Sequence, residues 1–93
     1  MTRARVEEMA KRIADMHGFA ERENQRFFFD GKIFYYNMEC LDTGFYRIYV
    51  RTAKNMLNLM YVRQADNGDY KITVIGYKFF NEKKFIEPVK RNF

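Results

Sequence analysis

Ring-bearing residues and turn signals alternate along most of this chain, and that alternation restricts the fold more than any other feature. Fourteen of its 17 Phe and Tyr residues lie between Phe27 and Phe80, in short runs separated by Asp30-Gly31, Asp42-Thr43-Gly44, Lys54-Asn55 and Asp66-Asn67-Gly68. Aromatic and β-branched side chains suit a pleated, half-buried surface, and Asp-Gly or Asn-Gly pairs are the residues that tight hairpins use. The expectation is an antiparallel meander over residues 26–80, with strands at Arg26–Phe29, Lys32–Cys40, Phe45–Arg51, Met56–Gln64 and Tyr70–Phe80. Gly76 interrupts the last run and predicts a bulge or bend.

Upstream of the meander, Val6, Met9, Ala10, Ile13 and Met16/His17 recur at three- and four-residue steps, which predicts an amphipathic helix over 3–17. Thr2 suits its N-cap and Gly18 its left-handed end, with His17 a favourable charge near the carbonyl terminus. The segment 81–93 reads in two ways. Asn81-Glu82 could start one helical turn ending before Pro88, or could turn the chain into a sixth, edge strand through Phe85 and Ile86; an edge strand or an extended tail is slightly preferred. The predicted class is therefore α+β in a single domain spanning 1–93, an N-terminal amphipathic helix packed on a five- to six-stranded twisted antiparallel β-meander.

Period-two alternation assigns the faces. Phe34, Tyr36, Met38 and Cys40 of the second strand, Tyr46, Ile48 and Val50 of the third, and Ile72 and Val74 of the fifth are expected to point to the core. The fourth strand, Met56-Leu57-Asn58-Leu59-Met60-Tyr61-Val62, is apolar at nearly every position, so it should be central and covered on both faces. The outward set is then Tyr35, Asn37, Arg47, Tyr49, Arg51, Arg63 and Lys71. Five strands at ~4.8 Å spacing are wider than one helix some 10 Å across can roof. The remaining aromatics need cover from sheet curvature, from Phe85, Ile86, Val89 and Phe93, from a second subunit or from a partner.

Charge bears on partners rather than on fold. The net charge is +5 and the isoelectric point about 9.4, a mild preference for anions. In sequence the excess is thin: six basic against five acidic residues in 1–26, seven against five in 27–80, four against two in 81–93, with Lys83 and Lys84 in the densest stretch. Dedicated duplex-DNA binders usually concentrate charge on one element. The chain has no apolar run that could span a bilayer and no signal-peptide stretch, so a cytoplasmic location is expected, and the lone Cys40 fits a reducing compartment.

Catalytic chemistry has little to draw on. The chain contains no serine and one histidine, His17, so no Ser–His pair can be built, and Cys40 lies on a predicted core face, where a thiol is a small hydrophobe. Glu7 and Glu8 point about 100° apart on a helix. Asp30, Asp42, Asp66 and Asp69 belong to turns, and Asp66-Asn67-Gly68-Asp69 lacks the downstream ligands of a calcium loop. No metal site, cofactor or phosphate cradle is expected. One enzyme class stays open on size and composition alone: a small toxin-type RNase using Arg47, Tyr49, Arg51, Lys71 and Tyr77, although no motif matches such a family residue by residue.

The outward Tyr and Arg residues suit a solvated sheet, a protein interface and a single-stranded nucleic-acid platform. The expected function is a small non-enzymatic binding module that occupies a macromolecular surface, a protein more readily than a nucleic acid, as a bacterial or phage inhibitor or accessory protein would. Tyr35, Asn37, Arg47, Tyr49, Arg51, Arg63 and Lys71 are the expected contacts, with Lys83 and Lys84 assisting. A homodimer through a sheet edge or the under-covered face is also expected as an alternative assembly.

Overall fold

Thr2 opens the N-terminal helix by accepting the Arg5 amide on its hydroxyl oxygen at 3.2 Å, and Gly18 closes it in the left-handed conformation (φ 59°), donating its amide to Ala14 at 3.0 Å. This helix, α1, spans Arg3–His17, as the periodicity predicts, and buries Val6, Met9, Ala10, Ile13 and Ala14. The computed structural model describes residues 1–52 and 54–88. Phe19 follows Gly18 with a positive φ of its own (62°), unusual for a bulky residue, and its ring packs on Tyr46 and Tyr70 at centroid distances of 5.8 and 5.1 Å. That packing holds the turn that delivers the chain to the sheet.

Five antiparallel strands follow in the order β1-β2-β3-β4-β5: β1 Arg22–Phe29, β2 Lys32–Asp42, β3 Phe45–Arg51, β4 Met56–Gln64 and β5 Tyr70–Val74. Asp30 and Gly31 both take positive φ (51° and 74°), the requirement of a type I′ turn. β1 starts four residues earlier than the sequence suggests. The polar stretch Arg22–Gln25 joins the sheet through an irregularity at which Asn24 has φ 53° and donates its amide to Asn37 Oδ1 (2.8 Å).

β4 is the fourth strand of five rather than a doubly covered centre. Ile48 faces Met60 while Tyr49 faces Asn58, so Leu59 is an extra residue on β4. Such a bulge resets the alternation. Leu59 and Met60 are consecutive yet both fully buried, and the unbroken apolar run is explained without a second covering layer. The Leu59 carbonyl also accepts the Ile75 and Gly76 amides, at 2.8 and 3.0 Å, which ends β5 at Val74 instead of Phe80. A side chain at Gly76 would place its Cβ 2.7 Å from the Phe79 ring and 2.9 Å from the Asn58 carbonyl oxygen, so the chain leaves the sheet where only glycine fits.

Beyond the sheet, Tyr77–Asn81 form a 3₁₀ helix and Lys83–Ile86 one turn of helix, α2. The preferred reading of the tail as an edge strand or extended segment is therefore replaced by the helical one for residues 83–86; Val89 and Phe93 lie outside the described residues. The helical reading wins because Phe80 and Phe85 have a core to enter. Phe85 packs at a tilt against Phe34 and meets Phe80 edge-on, at centroid distances of 5.0 and 4.8 Å, and Phe80 and Phe85 are at most 1% exposed. With α1 they close one face of the sheet over Phe29, Phe34, Tyr36, Met38, Ile48, Val50, Leu59, Met60, Val62 and Val74. The shortfall of cover expected from a single helix is thus met on this face by the chain's own C-terminal helices, without a second molecule.

Candidate functional site

The opposite face of the sheet carries no covering element among the described residues. Register places its side chains in rows across the strands. Phe28 pairs with Ile33 at one end, and Arg26 with Tyr35 beside them; Arg51 pairs with Met56 at the same end of β3 and β4. In the middle, Asn37 opposes Tyr49, which opposes Asn58, and Glu39 opposes Arg47, which opposes Tyr61. At the far end Phe45 faces Arg63, which faces Lys71. Seven of the expected contacts, Tyr35, Asn37, Arg47, Tyr49, Arg51, Arg63 and Lys71, therefore share one face. Lys83 and Lys84 do not. They sit on α2, in the helical layer, and pair with Glu87 (3.6 Å) and Glu82 (2.9 Å), so they lie across the sheet from the rest.

Individual positions differ from a uniform outward display. Arg47 is held: Nε donates to Glu39 Oε2 at 2.7 Å, Nη1 reaches Asn58 Oδ1 at 3.4 Å, and the guanidinium lies 5.0 Å from the Tyr49 ring centre. Tyr49, expected as an exposed contact, is only 5% exposed. It forms part of a shallow depression with Glu21, Glu23, Met38, Glu39, Arg47, Arg51 and Met56, at the corner where the β1 irregularity draws the edge strand aside. Arg63 covers the Phe45 ring at 4.2 Å, and Phe45 in turn meets Tyr61 at 5.5 Å. Much of the aromatic surface on this face is thus already in contact with guanidinium groups or other rings.

Two features were not singled out in the sequence. Phe28 is 69% exposed, beside its partner Ile33 at 40%, so the β1–β2 hairpin presents an apolar pair to water. Arg26 stands next to them. Alternation carries the signal for all three once β1 is known to place Phe27 and Phe29 inward, but three consecutive phenylalanines hide which one faces out.

The titratable groups with displaced pKa values belong to the other side of the molecule. His17 shares a short hydrogen bond with the Tyr36 hydroxyl, and its rings lie 5.8 Å apart. Burial, assisted by the charge of Arg22, holds the imidazole below its ordinary pKa, so the expected favourable helix-end charge gives way to a neutral hydrogen-bonding group. Burial likewise pushes Tyr36 up to about 12. Arg5 bridges α1 to the hairpin turn through Asp30 (Nε–Oδ1 3.0 Å) and also pairs with Glu8, which depresses both carboxyls. Cys40 is half-buried, its thiol 3.2 Å from the Asp42 carbonyl oxygen. Among the described residues no group of three or more His, Cys, Asp or Glu is placed to hold a metal, and no helix is long and apolar enough to cross a membrane.

Of the groups named for RNA cleavage, Arg47, Tyr49 and Arg51 line one depression, while Lys71 lies at the far end of the face. Tyr49 is buried under Arg47, Arg47 is tied to Glu39, and Tyr77 belongs to the 3₁₀ helix beyond the sheet. Comparison of the chain with protein-family models, curated proteins and solved structures finds no match.

Proposed function

We propose that this chain is a small binding module whose uncovered sheet face docks onto a protein partner, in the manner of an inhibitor or accessory protein. The observation that carries the reading is the makeup of that face. Its apolar pair, Phe28 and Ile33, stands exposed beside Arg26, Tyr35 and Arg51, the combination of aromatic, aliphatic and arginine residues that dominates protein–protein hot spots. The opposite face supports this by subtraction, because α1 and the C-terminal helices already fill it.

A single-stranded nucleic-acid partner is the second reading, favoured by the arginines that lie over rings. It asks for open ring faces on which bases can stack. Arg47 and Arg63 lie over Tyr49 and Phe45, which makes this the weaker fit.

Affinity capture from the native host with wild-type protein, Phe28→Asp and Lys83→Glu tests the choice. A specific protein recovered by the wild type and by Lys83→Glu but lost with Phe28→Asp is the expected outcome. Equal recovery with Phe28→Asp would exclude this face as the contact. Recovery of RNA in place of protein, with oligonucleotide affinity falling steeply as salt rises, would select the second reading.

A further inference from the structure

Folding gathers charge that the sequence disperses. The open face carries Arg26, Arg47, Arg51, Arg63 and Lys71 against two carboxylates in its rows, Glu39, which is spent on Arg47, and Asp42, which stands opposite Phe45. The four other cations make no ion pair among the described residues. In the helical layer most cations are paired: Arg3, Arg5, Arg12, Lys83 and Lys84 each hold a glutamate or aspartate within 4 Å, while Lys11 and Lys78 do not among the described residues. Arg63 and Lys71 stand directly opposite one another on neighbouring strands, an arrangement that costs stability unless an anion shares it.

The cations occupy two ends of the face. Arg26 and Arg51 lie one row in from the Phe28–Ile33 pair, and Arg63 and Lys71 lie in the row of Phe45, six residues further along β3, about 20 Å away at the usual strand rise. Between them the surface is neutral or internally paired. The depression near Arg51 also includes Glu21 and Glu23, which discourages a single continuous polyanion from lying along the face.

Resting on the reading of this face as a protein-docking surface, we propose that its partner is an acidic protein segment, with carboxylates in two clusters about 20 Å apart and apolar side chains just outside the first of them. The spacing matches the two cationic ends, apolar side chains beside the first cluster meet Phe28, Ile33 and Met56 at the Arg26–Arg51 end, and phosphate-backbone uniformity is not required. Charge complementarity of this kind mainly sets partner choice and association rate.

The test uses the full chain labelled with ¹⁵N and a synthetic peptide, Leu-Thr-Leu-Glu-Glu-Thr-Asn-Thr-Asn-Glu-Glu, with a glutamine version and an oligothymidylate of equal charge as controls. The acidic peptide should shift amides of Arg26, Ile33, Arg51, Arg63 and Lys71, and the glutamine version should bind at least fivefold more weakly. Arg51→Glu and Lys71→Glu should each weaken binding severalfold, and Lys83→Glu and Lys84→Glu should leave it unchanged. The inference falls if the acidic peptide causes no shifts at low salt, if the Lys83 variant weakens binding as much as the Lys71 variant, or if the oligothymidylate binds more tightly than the peptide. Should a captured host protein depend on Phe28 but tolerate Arg51→Glu and Lys71→Glu, the docking face stands and its acidic partner chemistry does not.

Discussion

His17 and Tyr36 join the end of α1 to the middle of β2, and their displaced pKa values make the joint sensitive to pH in both directions. The folded imidazole binds its proton less readily than the unfolded one, whose pKa is near 6.5. The stability this contributes is present above that value and is lost as pH falls through it toward the lower folded pKa. Asp30 and Glu8, depressed by Arg5, add a further loss as pH drops through the carboxylate range. At the alkaline end the unfolded Tyr36 ionises near 10 and the folded one near 12, so stability falls between those limits, and Tyr70, raised to about 12 by burial and Asp15, acts the same way. Melting temperature measured across pH should show a plateau near neutrality with losses on both sides. In His17→Gln the loss between pH 7 and 5 should shrink; an unchanged acid limb would show that the imidazole is not held neutral.

Among the elements, α2 is the one whose importance exceeds its size. One turn of helix cannot be stable by propensity, so it exists because Phe85 reaches Phe34 and Phe80. Phe85→Ala should cost about 3–5 kcal/mol in urea unfolding, the usual range for a buried phenylalanine. Phe28→Ala, at an equally aromatic but exposed site, should fall within about 0.5 kcal/mol of wild type. Similar losses at the two sites would mean that Phe28 is packed and unavailable to a partner. The same contrast explains what could be foreseen in the sequence. The helix and the hairpins were legible because Thr2, Gly18, Asp30-Gly31 and Asp66-Asn67-Gly68 act locally. The bulge at Leu59 and the helical tail were not, because each is decided by a distant contact: the Leu59 carbonyl with Ile75 and Gly76, and Phe85 with Phe34. Likewise the shared face of Tyr35, Arg51, Arg63 and Lys71 was readable from alternation, whereas the burial of Tyr49 and the separation of Lys83 and Lys84 depended on how the layers stack.

At the scale of the whole molecule, the chain is a two-layer arrangement with unequal sides. One layer is the helices, with most of their arginines in ion pairs and their apolar stripe spent on the core. The other is a sheet whose outer rows keep unpaired cations and an exposed phenylalanine. The closed inner face is not available to a homodimer, whereas the outer face and the edge strands β1 and β5 are. The most direct test is amide-exchange footprinting of the chain alone and bound to its captured partner. Protection confined to Phe28, Ile33, Tyr35, Arg51, Arg63 and Lys71 is the result the two-sided arrangement predicts. Protection centred on the exposed residues of α1 and α2, with the sheet rows unchanged, would contradict it.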